Sequence, residues 1–311
     1  MTTPNAQFPR FGYNEHMKLH IVVLGMGDMG TALASLLRKN KHGVDCWDKS
    51  SGKVKGQKSL FEIIPRADIL FLCVPSWSLP NVIKTIHPFV HKNTVIVGVS
   101  KGLQDNKETT YELLSRSFFE GQPVALFGGA MLANELLNGA PGVGVIASKN
   151  AALRDRIAEL FHGTNLKVSV SSDVRGVALC GVLKNIYALG LGVAKGIGWG
   201  ENARAWFAFE SINEMERIVK LLGGKSESVY GTAGVIDFIA TGFSEYSKNV
   251  EAGMLVVKKK KCVSGSESAA SFDPLLKLIK ADLHSLPLLR ATYRAAMCKE
   301  APAEAFRKLL K

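Results

Sequence analysis

Gly25-Met26-Gly27-Asp28-Met29-Gly30 limits what this chain can become more than any other stretch. It matches G-x-G-x-x-G, follows a predicted strand and opens a helical pattern. Each glycine has its own reason to be there. Gly25 permits the tight turn, Gly27 lets a pyrophosphate approach the backbone, and Gly30 lets the helix pack closely on its strand. Unpaired amides at the start of that helix would face the pyrophosphate. A tight turn without a ligand is the alternative, and the strand-before, helix-after setting argues against it. The next strand ends at Asp48, 23 residues after Gly25. A carboxylate there accepts hydrogen bonds from ribose hydroxyls and repels a 2′-phosphate, which favours NAD. Lys49 follows directly and would attract a 2′-phosphate, so NADP is the alternative.

The first half repeats strand, helix, strand. Strands are expected over 18–24, 43–48, 68–74, 94–99, 123–127, 142–147 and 166–170. Most are continuously apolar, as strands covered on both faces should be. Helical patterns fall at 30–39, 77–87, 105–118 and 151–162. That order implies an α/β fold with a parallel, doubly wound sheet. After Ser171-Ser172-Asp173 the pattern turns helical: 174–195, 202–222, 233–240, 244–257, 269–280, 287–297 and 302–310. We therefore expect an N-terminal arm over 1–16, a dinucleotide-binding domain over 17–172 and an all-helical substrate and catalytic domain over 173–311.

The 311 residues suit two domains, and 47% hydrophobic with 21% charged residues excludes a mainly disordered chain. Five scattered cysteines, with no Cys-x-x-Cys pair, argue against a disulfide scaffold or zinc site and for a reducing compartment. No metal is expected. The net charge of +12 is mostly dispersed; its one dense run, Lys258 to Lys261, reads as a solvated loop or helix end. An anionic metabolite is a better partner for this charge than nucleic acid, because no recognition motif accompanies it. Residues 1–16 lack the apolar core of a secretory peptide and the basic amphipathic pattern of a transit peptide. The stretch from Gly176 to Ala194 approaches membrane-spanning length, but Lys184 and Asn185 stand at its centre. It reads as a buried helix of a soluble, cytoplasmic protein.

Between Arg175 and Lys195 the only charged residue is Lys184. Burying an ammonium is costly unless it is paired or its pKa falls. Helical spacing puts Gly181 one turn before it, leaving room for another group beside the amine. A desolvated lysine can give or take a proton near neutral pH, as carbonyl reduction requires. The alternative is a structural ion pair with an acid such as Asp237.

These pieces bring a family into view. Over roughly 17–311 the chain resembles NAD(P)-dependent glycerol-3-phosphate dehydrogenase. The matching blocks are Gly25–Ala34, Val74-Pro75-Ser76, Ser100-Lys101-Gly102, Asp173–Asn185, Ala233–Thr241 and Ser247-Lys248-Asn249. The resemblance implies a Rossmann-type sheet followed by a helical domain. It also implies hydride transfer between NAD(P)H and C2 of dihydroxyacetone phosphate, giving the sn-glycerol 3-phosphate of carbohydrate metabolism and phospholipid biosynthesis. Carried over by position, Lys184 is the proton donor and acceptor, and Asp237 holds or tunes it. Gly25, Gly27, Asp28, Met29, Gly30, Asp48, Lys49, Lys101, Ala133 and Lys248 would contact the cofactor. Lys101, Gly129, Asn185, Thr241, Ser247, Lys248 and Asn249 would contact the substrate. Without the resemblance, Lys101 reads equally as a solvated loop lysine.

The chain departs from the family pattern in places. Gly129-Ala130-Met131 replaces Gly-Pro-Ser or Gly-Ala-Asn, Ser247-Lys248-Asn249-Val250 replaces Ser-Arg-Asn-Arg, and Glu210 stands where arginine is common. A glutamate often seen in the last third falls at Ser264, and the segment from Asp48 to Ser59 is short. Two other readings accompany the main one. One is a sister reductase for another small phosphorylated or acidic carbonyl compound; the other is a non-catalytic NAD-binding sensor or scaffold. The apolar faces of the helical half point to a homodimer.

Overall fold

The computed structural model describes residues 19–279 and 285–310; the expected arm over 1–16 lies outside them. The first half runs β1 (His20–Leu24), α1 (Asp28–Lys39), β2 (Gly43–Trp47), α2 (Leu60–Ile63), β3 (Ile69–Leu72), α3 (Leu79–Ile86), β4 (Val95–Gly98), α4 (Thr110–Ser117), β5 (Val124–Ala130), α5 (Ala133–Leu137), β6 (Gly142–Ala147), α6 (Ala151–Glu159) and β7 (Leu166–Ser171). The strands form one sheet in the order β2-β1-β3-β4-β5-β6-β7. Val22 of β1 stands opposite Asp45 of β2 on one side and Leu70 of β3 on the other. Ile21, Val22 and Val23 are fully buried, because α1 and α6 pack on one face of the sheet while α3 and α4 cover the other. Each such aliphatic side chain contributes ~1.5–3 kcal/mol through burial.

Chain order reverses between β1 and β3, the switch point where open α/β sheets bind ligands at their carboxyl ends. Three connections meet there: the Gly25 turn after β1, the Val74–Ser76 loop after β3 and the Ser100–Gly102 loop after β4.

The sheet departs from the expected all-parallel pattern at one place. β6 runs antiparallel to β5, with Phe127 opposite Ile146. The connection from Met131 to Pro141 holds only the five-residue α5, too little to cross a sheet layer and return in parallel. Local chemistry also moves some helix starts. The expected helix from 105 begins at Thr110, since Leu103 and Thr109 form a bridge and Thr109 closes a capping box with Glu112. The helix expected from 244 begins at Lys248, because the Ser247 hydroxyl caps it.

The second half contains α7 (Val174–Gly196), α8 (Glu201–Leu221), α9 (Ser226–Tyr230), a π-helical segment (Thr232–Ile236), α10 (Asp237–Phe243), α11 (Lys248–Lys259), α12 (Glu267–Ile279), α13 (Pro287–Ala296) and α14 (Pro302–Arg307). Helix α7 is the axis. Every residue from Leu179 to Ala194 is buried, wrapped by α8, α10, α11, α12 and α13. Glycines bring α7 and α11 together backbone to backbone: a Cβ at Gly192 would strike the Val250 main chain, and one at Gly253 the Leu189 carbonyl.

No cysteine pairing is expected from the sequence, yet Cys262 and Cys298 form a disulfide. The segment after α11 folds back on the end of α13, where the Val263 amide donates to the Ala296 carbonyl at 2.9 Å, so the two thiols meet. Cys46, Cys73 and Cys180 are free.

Candidate active site

The glycine turn is built as a cradle. Gly25 has φ +93°, and a Cβ there would press on the Cys73 carbonyl at 2.7 Å; a Cβ at Gly30 would collide with the Gly25 carbonyl. At Gly27 the same atom would meet nothing within 4 Å. Gly27 is also the N-cap of α1 and offers its first amides no side-chain acceptor. Open space above uncapped amides is what a dinucleotide pyrophosphate requires, so these residues fit the cofactor. Met29 and Ala133 pack at the margin of the adjoining core cluster.

Asp48 is buried and already engaged. It accepts from the Met26 amide at 2.8 Å, the Ser50 amide at 2.9 Å and Lys53 Nζ at 3.4 Å. Burial alone would raise its carboxyl, but those two amides and the Lys53 ammonium outweigh it and hold the group below the ordinary value. Asp48 thus anchors the glycine turn from behind. Lys49 is exposed beside it.

Three polar side chains converge on Asp237, the first residue of α10. Lys184 Nζ lies 3.0 Å from Asp237 Oδ1 and donates to Thr241 Oγ1 at 2.7 Å. The Thr241 hydroxyl donates to Asp237 Oδ1 at 3.3 Å, one helical turn away. Lys101 Nζ donates to Asp237 Oδ2 at 2.7 Å and to the Gly129 carbonyl at 2.9 Å. Gly181 provides the expected space: a Cβ there would sit 3.2 Å from Cγ of Lys101, so the glycine accommodates that stem.

Burial pulls the Lys184 ammonium down to about 8; Asp237 opposes this, and the neighbouring Lys101 charge adds to it. Burial pushes the Asp237 carboxyl the other way, yet Lys101 and Lys184 together hold it below the ordinary carboxylate value. One carboxylate shared by two ammonium groups leaves an excess positive charge in a dry site, suited to an anionic substrate and to proton transfer near neutral pH.

The other expected residues form a second group. Asn249 Nδ2 donates to Asn185 Oδ1 at 2.9 Å, and Ser268 Oγ donates to Asn249 Oδ1 at 3.1 Å. The Ser247 hydroxyl accepts from the Val250 amide as the α11 cap. Lys248 lies apart from this group. Its ammonium pairs with Asp28 in the glycine turn at 2.8 Å, with both side chains largely exposed. Met131 is buried among the core residues of the sheet, and the Glu210 carboxylate accepts from Asn213.

Two contacts lie beyond the sequence expectations. Glu267, three residues after Ser264 and the first residue of α12, reaches Ser76 in the loop after β3. Ser76 closes the Val74-Pro75-Ser76 motif, but nothing in the spacing pairs it with a residue 191 positions away.

The chain matches the models described as NAD-dependent glycerol-3-phosphate dehydrogenase N-terminus over residues 49–154 and C-terminus over 173–307. It is 32% identical over 260 residues to the glycerol-3-phosphate dehydrogenase (NAD(P)+) of Fusobacterium nucleatum, spanning 76% of this chain and 78% of that one. Identity to the Synechocystis enzyme of the same name is 28% over 298 residues, covering 93% and 92%. The crystal structure of glycerol-3-phosphate dehydrogenase from Coxiella burnetii superposes with a TM-score of 0.85 at 27% identity, covering 94% of this chain and 99% of that one.

Proposed function

Because this chain belongs to the NAD-dependent glycerol-3-phosphate dehydrogenase family, we propose that it reduces dihydroxyacetone phosphate at C2 to sn-glycerol 3-phosphate, with Lys184 as the proton donor. The observation that carries this reading is the Lys184–Asp237–Lys101 cluster, in which a buried lysine and a buried aspartate meet Lys101 of the loop after β4. When bound, NAD(P)H supplies the hydride. Gly25, Gly27, Gly30 and the amides of Asp28 and Met29 would hold its pyrophosphate, with Asp48, Lys49, Lys101, Ala133 and Lys248 around the rest.

The chain's own residues manage the proton. As C2 becomes a secondary alcohol, its oxygen takes a proton from the Lys184 ammonium, which is left neutral. Asp237 stays ionised, orients the amine and offsets the charge of Lys101. Lys101, Gly129, Asn185, Thr241, Ser247, Lys248 and Asn249 would receive the substrate. The Lys248–Asp28 pair is exposed and worth only ~0–1 kcal/mol. A phosphate oxygen can therefore displace Asp28 from that ammonium readily.

The test is NADH and NADPH oxidation by the purified protein with dihydroxyacetone phosphate and with a panel of other small carbonyl compounds. Phosphate-dependent turnover is expected; turnover confined to another carbonyl acid would favour a sister reductase, and none at all a binding protein. We place the protein in the cytoplasm, where a nicotinamide cofactor and a triose phosphate are both at hand. We also propose a homodimer, supported by the exposed Ile236, Ile239, Phe243 and Tyr246 on and around α10.

A further inference from the structure

Glu267 holds the sheet half to the helical half next to Lys101. Its Oε1 accepts from the Ser76 amide at 2.7 Å, and its Oε2 accepts from the Ser76 hydroxyl. Ser76 is itself buried. One turn further along α12, the Ser271 hydroxyl accepts from the Leu103 amide at 3.3 Å. Gln104 Nε2 donates to the Ser76 carbonyl at 2.9 Å, and the Ser100 hydroxyl to the Val74 carbonyl at 2.6 Å. Gly102 fits tightly against this contact: a Cβ there would land on both the Ser76 hydroxyl and the Glu267 carboxylate. The loops on either side of Lys101's strand end are thus gripped by one face of α12.

The chemistry of the grip is informative. Among the described residues, none of the ion pairs involves Glu267; its carboxylate is met by the neutral donors of Ser76. Burial raises its proton affinity and the Ser76 donors only partly offset this. A carboxylate taken out of water without a cation is a poor choice where stability alone matters, since an apolar contact would serve better. What it offers is direction: two fixed acceptor oxygens define where the Ser76 loop stands, and Gly102 packs on the result.

We infer that Glu267 is a positioning residue for the reaction, fastening Ser76 and Gly102 so that the adjacent Lys101 is delivered to Asp237. This rests on the reading of Lys101 and Lys184 given above. With Glu267 truncated, the loop after β4 loses its backing and Lys101 drifts from Asp237. Displacements of about 1 Å at such a group lower turnover by up to ~100-fold.

The experiment compares full-length wild type, Glu267→Ala, Glu267→Gln, Lys101→Met and the Lys101→Met/Glu267→Ala double variant. Glu267→Ala should lower kcat for dihydroxyacetone phosphate reduction by about 10- to 100-fold while NADH affinity changes less than about threefold. Its pH profile should move to higher pH, because Lys184 loses the neighbouring Lys101 charge. Glu267→Gln keeps one acceptor oxygen and should fall between. In the Lys101→Met background, Glu267→Ala should add less than about threefold, since the two changes act through one group. Full multiplication of the two effects, or an unmoved pH profile, would overturn the inference. A turnover-independent readout separates it from the proposed function. Acylation of Lys101, followed by mass spectrometry and scaled to the exposed Lys58, should speed up at least about fivefold in Glu267→Ala, the gain in access expected once the ion pair opens. An unchanged rate would overturn the inference even if wild type proved inactive on dihydroxyacetone phosphate.

Discussion

The Lys184 ammonium is set between opposing pressures: burial drives its proton off, Asp237 keeps it on, and the Lys101 charge adds to burial, leaving the group at about 8. The sign of its pH dependence follows. Reduction uses the protonated amine, so kcat should fall as pH rises through about 8. Alcohol oxidation uses the neutral amine and should rise through the same range. Steady-state profiles in both directions test this, and parallel rather than mirrored limbs would exclude Lys184 as the shared group. Lys184→Met should keep NADH binding while slowing turnover by ~10²–10⁴. Asp48 carries a different expectation. A free carboxylate would act as a ribose selector, but this one is buried and holds the Met26 amide. Asp48→Ser should therefore weaken NADH and NADPH together and lower stability by ~1–3 kcal/mol. Cofactor titration and thermal melts decide, and a clean switch to NADPH with an unchanged melt would restore the selector role.

Among the elements, the turn into α1 separates folding from binding within a single motif. Gly27→Val should melt close to wild type yet lose cofactor affinity, because a Cβ there meets nothing within 4 Å. Gly30→Ala should destabilise by several kcal/mol, since its Cβ meets the Gly25 carbonyl. Calorimetry and NADH fluorescence on both variants test the contrast. The same motif shows what was legible in the sequence. Local rules marked the strand–turn–helix unit, the buried helix and its lone lysine, because each depends on neighbours within a few residues. The reversal of β6 depended on how short α5 is, a matter of connection geometry that apolar runs do not encode. The Glu267–Ser76 contact and the Cys262–Cys298 bridge were invisible for a related reason. Each joins residues far apart, and only the packing of α11, α12 and α13 brings them together. Lys248 carried a cation where one was expected, but its ammonium pairs with Asp28 of the glycine turn.

On the scale of the whole molecule, the proposed dimer has a direct test. Ile239→Asp and Phe243→Asp change the outer side of α10, away from the buried Asp237 and Thr241. Both should shift the sedimenting species from dimer to monomer at micromolar concentration; a wild-type monomer would remove the proposal. The wrapped helix α7 has another consequence, one for synthesis. It is long and apolar enough to cross a membrane, and its apolar window is buried here, but α8 and α10 to α13, which wrap it, leave the ribosome after it. At roughly 5–20 residues per second, α7 stays bare for on the order of ten seconds. During that interval its affinity for chaperones, for the signal-recognition machinery and for other nascent chains competes with correct burial. Lys184 and Asn185, both at mid-helix, lower the chance that the bare segment is mistaken for a membrane anchor.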